Sequence, residues 1–180
     1  SATVEQSATQ SWVEYVVGGG KAMTNAAGDG ATANVDGTAK VTITGDANTS
    51  VGLVAGGGFT RLQAGGANAT ARVANTVVNV DSGTLAGATG GGIAENYGSN
   101  TADAGVDESS VTISGDAIIN EVKYGAHNES AGTGIAVVGG GIALSTGSGT
   151  SKAAVASATT NISGGTVNGD VIASGLAHGS

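Results

Sequence analysis

From residue 33 to residue 44 apolar or small and polar side chains alternate. Ala33, Val35, Gly37, Ala39, Val41 and Ile43 fall on one face of an extended chain, and Asn34, Asp36, Thr38, Lys40, Thr42 and Thr44 on the other. A period of two predicts a strand with one face against a core. The pattern returns twice in weaker form. Ala71 and Val73 are out of phase with Val78 and Val80, which predicts a bulge near Val77. Ala154, Ala156, Ala158, Thr160 and Ile162 repeat the alternation with smaller residues.

These strands end in a motif that recurs: VTITGDA (41–47), VNVDSGT (78–84), VTISGDA (111–117) and TNISGGT (160–166), aligned on Ile43, Val80, Ile113 and Ile162. A second landmark keeps step with it, as VVGGGKA (16–22), VAGGGFT (54–60), ATGGGIA (88–94), VVGGGIA (137–143) and IASGLAH (172–178). One repeat therefore reads as strand, turn, strand, glycine corner, short strand and variable loop. The anchors stand roughly 33 to 49 residues apart, the spacing of solenoid repeats. The longest interval contains INEVKYGAHNESAGTGIAVV (119–138), expected as a loop insertion on the outside of a stack. Residues 1–20 are expected to form an N-terminal capping segment and first strand, and residues 21–180 the repeats.

Composition turns this pattern into an architecture. The chain has 34 Gly, no Pro, no Cys, 3% aromatic and 11% charged residues, and Val and Ile far outnumber Leu. Burying one larger apolar side chain gains about 1.5–3 kcal/mol, and ordering one residue costs about 1–2 kcal/mol. A single repeat with so few large side chains cannot hold itself together. Stacked repeats can, because each strand gains ladder neighbours at about 4.8 Å and the side chains form continuous columns. The expected fold is all-β, a parallel β-helix (β-solenoid) of about four to five irregular coils. The GGG corners are expected to supply positive φ and close backbone approach.

NISGGTVNGDVIASGLA (161–177), VTITGD, VTISGD and the in-phase GGG corners resemble the passenger repeats of bacterial autotransporter adhesins, the surface proteins of the type V secretion route. The resemblance covers most of the chain from about residue 12. It implies a right-handed parallel β-helix displayed outside a Gram-negative cell and used for adhesion or self-association. It carries no fixed catalytic residues. The opening residues, SATVEQSATQSW, lack the basic and apolar regions of a secretory signal.

Charge and chemistry narrow the function. A net charge of −8 with only six Lys and Arg repels phosphate backbones and anionic lipid, so neither nucleic-acid binding nor membrane insertion is expected. The GGG runs do not meet the spacing of a phosphate loop. Without Cys there is no disulfide, no Cys-based zinc site and no thiol chemistry. Asp103, Asp107 and Glu108 form the densest acidic cluster and read as a solvated loop rather than a calcium site. Asp46 and Asp116 occupy equivalent turn positions, where a short carboxylate caps a tight turn. His127 and His178 read as surface residues.

The aromatics say more. Trp12 and Tyr15, just before the first GGG, are expected to cover an open end of the stack. Tyr97 and Tyr124, in ENYGSN and EVKYGAHN, are expected in exposed loops as contact residues, with His127 beside them. No metal and no cofactor is expected. The resulting expectation is a non-enzymatic, extracellular structural or adhesive solenoid whose partner is a surface protein or glycan of a host or neighbouring cell, or a second copy of the chain. Three alternatives stand beside it. One is a self-assembling fibre subunit, and one is a polysaccharide-acting β-helix enzyme using Asp46 or Asp116. The third is an ice-binding solenoid, argued from Thr42, Thr44 and Thr112 on an outward face and opposed by Asn79 and Asp81 in the same column.

Overall fold

The computed structural model describes residues 2–5, 12–28, 30–46, 48–122 and 134–179, of residues 2–5 and 179 the backbone alone. Every described element is a strand, and the strands wind into a β-solenoid. Each turn visits four parallel sheets in the order A, B, C, D. Sheet A stacks Ala2–Glu5, Val35–Thr44, Val73–Val80, Val106–Ile113 and Val155–Ile162. Sheet B begins with Trp12–Val17, Ser50–Ala55 and Thr84–Thr89, and sheet C with Lys21–Thr24, Phe59–Leu62 and Ile93–Asn96. Sheet D is made of short strands, among them Ala69–Thr70 and Thr101–Asp103. There are four such turns and the A, B and C strands of a fifth.

The recurring motif is the stack itself. Ile43 pairs with Val80, Val80 with Ile113 and Ile113 with Ile162, and Val41, Val78, Val111 and Thr160 form the next inward column. With Val51, Val54, Leu85 and Ile119 of sheet B, the members of these columns from the second, third and fourth turns, Val41, Ile43, Val78, Val80, Val111 and Ile113, make the main core. A smaller core of Leu62, Ala94, Ala102, Ala104, Ala143 and Ala153 lies between sheets C and D.

Between these two cores the turn is pinched, and the GGG runs make the waist. A Cβ on Gly20, Gly58, Gly92 or Gly141 would fall within 3.0 Å of the carbonyl oxygen of Ala33, Ala71, Ala104 or Ala153 across the same turn. A Cβ on Gly18, Gly56, Gly90 or Gly139 would meet the backbone of the next turn. Hydroxyls staple the middle of the waist: Thr76 Oγ1 donates to Gly90 O at 2.6 Å and Ser109 Oγ to Gly139 O at 2.6 Å.

Two expectations need correction. The GGG glycines serve close approach only, since none of them has positive φ. That conformation is found instead at the A-to-B turns, at Gly83 (φ 88), Gly115 (φ 56) and Gly165 (φ 77), where a left-handed residue reverses the chain. The bulge is not near Val77. It lies in the adjacent strand, between Val35 and Thr38, because two residues there, Asp36 and Gly37, oppose Ala74 alone. Gly37 is accordingly exposed instead of sharing the buried face of Ala39, Val41 and Ile43.

The long interval interrupts sheet B. Thr84 and Leu85 pair with Ile118 and Ile119, and Ala88 and Thr89 with Val137 and Val138, so in sequence residues 120–136 stand between the two paired segments where only Ala86 and Gly87 stand one turn earlier. Val122 and Ile135 close the described base of this insertion as an antiparallel bridge.

Candidate functional site: an aromatic groove between two sheets

Sheets B and C meet at the GGG corner, and alternate side chains on each point away from the main core into the angle between them. In sheet B, Val51 and Val54 face the core while Leu53 and Ala55 face the other way. In sheet C, Phe59, Ile93 and Ile142 join Leu53, Ala55 and Val138 in a separate apolar cluster. The angle is thus a groove along the solenoid axis with its own hydrophobic floor. It encloses a cavity of about 610 Å³, within the range of about 300–1,000 Å³ usual for ligand sites.

Three of the aromatic residues singled out in the sequence come together here. Trp12 and Tyr15 stand on the first strand of sheet B, whose core-facing residues are Val13 and Val16, and both rings project into the groove. They line a side of the stack where an end cap was expected. Tyr97 follows the third strand of sheet C and lines the same cavity. Trp12 is 65%, Tyr15 39% and Tyr97 47% exposed. Tyr124 and His127 lie outside the described residues. His178, expected on the surface, is a ladder residue of sheet C opposite Leu144 and borders the groove.

Sequence reasoning missed the residues that hold these rings. Phe59 lies against Tyr15 with ring centroids 5.6 Å apart, and Lys21 and Arg61 sit over its ring at 5.4 and 5.2 Å. Arg61 Nε donates to Glu95 Oε2 at 2.5 Å, and the two are ladder neighbours in sheet C. That hydrogen bond raises the pKa of the guanidinium further. Burial first, and the charge of Glu95 second, push the Tyr15 and Tyr97 hydroxyls above their ordinary pKa, so both are neutral O–H groups at physiological pH.

Tyr97 is positioned by its buried neighbour. Asn96 Nδ2 donates to Asn100 O at 2.7 Å and Thr150 O at 3.0 Å, and Asn96 Oδ1 accepts from Gly98 N at 2.8 Å. These bonds tie the amide to the loop that carries the ring, at Gly98 and Asn100, and to Thr150 of the adjoining turn. The signal was present in the sequence as N-Y-G after a strand, but its partner Thr150 belongs to the next turn.

The other candidates are separate from the groove. Arg72 holds Asp103 at 3.1 Å and reaches Asp107 at 3.8 Å, so the acidic cluster carries its own counter-charge. Asp46 Oδ1 accepts from Asn48 N at 2.8 Å, which is turn chemistry. On the outer face of sheet A the column runs Thr42, Asn79, Thr112, Asn161, alternating in residue type. No family model matches the chain, and no curated protein or solved structure matches it.

Proposed function

We propose that this chain is a non-enzymatic adhesive solenoid that works outside the cell, as its resemblance to autotransporter passengers implies, and that its contact surface is the groove between sheets B and C. The observation that carries the reading is the gathering of Trp12, Tyr15 and Tyr97, from segments more than eighty residues apart at their extremes, into one cavity with their rings partly exposed. Most large apolar side chains here are spent on the core. Aromatic rings left open to solvent in a concave site are the residue type that dominates binding energy at contact surfaces.

The binding reading is favoured over an enzymatic one by how two candidate acids, Glu95 in the groove and Asp46 outside it, are committed. The Glu95 carboxylate is engaged by Arg61, and Asp46 is engaged in its turn. Adhesion also suits the architecture, because a rigid stack can present weak contacts in series whose strengths combine. The test is adherence of cells to beads coated with the chain. Trp12→Ala combined with Tyr97→Ala is expected to reduce adherence about tenfold or more, the loss of one or two hot-spot rings, with an unchanged circular dichroism spectrum. Adherence equal to wild type in that double variant would remove the groove from the proposal, and turnover of a polysaccharide by the purified chain would replace adhesion with catalysis.

A further inference from the structure

Resting on the reading of the groove as a contact surface, we infer that its ligand is an uncharged oligosaccharide lying along the solenoid axis, with pyranose faces stacked on Tyr15 and Tyr97 and with Trp12, on the same strand as Tyr15, flanking it.

Three properties of the groove select this chemistry. The first is charge. Arg61 is engaged by Glu95, and the charged residues that line the cavity itself are the acids Glu14 and Glu95, so the groove does not favour an anionic ligand. The chain as a whole carries −8, and sulfated or acidic glycans and phosphate-bearing polymers are repelled.

The second is the direction of the backbone. The groove walls are the faces of sheets B and C, and their peptide groups bond along the axis to the turns above and below, as in the pairing of Phe59–Leu62 with Ile93–Asn96. A bound peptide would find no strand edge to extend, and its own N–H and C=O groups would lie unpaired against Leu53 and Leu144. Leaving such groups unpaired costs about 1–3 kcal/mol each. A pyranose ring has its hydroxyls at the rim and C–H groups on its faces, so it can cover an apolar floor while its polar groups reach outward.

The third is the distribution of polar groups at the rim. Glu14, Glu95, Ser145, Thr146 and His178 line the cavity together with Tyr15 and Tyr97. These are mostly acceptors and two-way hydroxyls, matched to sugar O–H groups. Tyr15 belongs to the first turn and Tyr97 follows a strand of the third, two ladder steps or about 10 Å apart along the axis. That distance is comparable to two residues of an extended β-linked hexose chain.

Trp12 is the sole Trp of the sequence, so its fluorescence reports occupancy of the groove directly. The intact chain is titrated with neutral cello-, chito- and manno-oligosaccharides, with a sulfated oligosaccharide and with oligolysine. The expected result is a saturable Trp12 shift with at least one neutral series, insensitive to added salt and weakened about tenfold by Tyr97→Ala. Tyr97→Phe keeps the ring and should retain most of the binding. The inference is overturned if none of the neutral series moves Trp12 fluorescence at millimolar concentration, or if only oligolysine or the sulfated sugar does so. If the groove variants abolish cell adherence while no neutral sugar binds, the contact surface stands and its ligand class is wrong. If neutral sugars bind but adherence ignores the variants, the adhesive reading fails and the sugar site remains.

Discussion

The fourth and fifth turns carry related motifs, VTISGDA and TNISGGT, paired in register as far as Ile113 and Ile162, yet they live in different environments. Ile113 is fully buried and Ile162 is 43% exposed. The same holds at the waist: a Cβ on Gly141 would collide with Ala153, whereas one on its counterpart Gly175 would meet nothing closer than 3.2 Å. An equivalent residue therefore contributes different amounts of stability, according to how many neighbours lie above and below. In a solenoid the energy of a residue belongs mostly to the interface between turns.

Three experiments can break or sharpen this contrast. The largest effect is expected from Ile113→Ala, which should destabilise the chain by about 3–5 kcal/mol through lost transfer energy and a cavity; Ile162→Ala should cost less than about 1 kcal/mol, half of its side chain already being hydrated. Urea unfolding of the two variants decides it, and equal losses would mean that the turns do not differ in the way their burial indicates. Next comes the waist. Gly58→Ala forces a methyl group into the Ala71 carbonyl and should cost about 2–3 kcal/mol, while Gly175→Ala should change the unfolding midpoint little.

The smallest effect has the opposite sign. Thr60 is fully buried in sheet C with an Oγ1 that lacks a partner, and Thr160 Oγ1 is likewise buried without one. Thr60→Val removes a desolvated hydroxyl at nearly constant shape and should stabilise by about 1 kcal/mol. Thr160→Val should gain less, because residue 160 is only half-buried in the fifth turn. Destabilisation by Thr60→Val would indicate that the hydroxyl has a partner such as a buried water.

Much of the fold could be read from particular residues. Ile43, Val80, Ile113 and Ile162 were aligned by motif alone and stand in one ladder column, and the long interval proved to be an insertion within one sheet. The groove was legible only in part. Its rings were visible as rare aromatics, but Trp12 and Tyr97 share no motif, and the pairing of Arg61 with Glu95 joins residues that are neighbours only because turns stack. The glycine corners were misjudged in one respect, for sequence cannot distinguish a glycine needed for its φ from one needed for the space its missing Cβ leaves.

What this sequence determined by itself was periodicity: alternation of two within strands, landmarks repeating in phase, and side chains too small to hold a lone turn. Those properties are local and one-dimensional, so they survive in a string of letters. Tertiary structure decided which face of each strand met the core and which met water, because that depends on how sharply the chain bends at each corner. The GGG waist bends sheets B and C into an angle, and residues placed there by alternation became a groove instead of a surface. Distance along the chain carries no information about that angle; the close contact of Gly58 with Ala71 does.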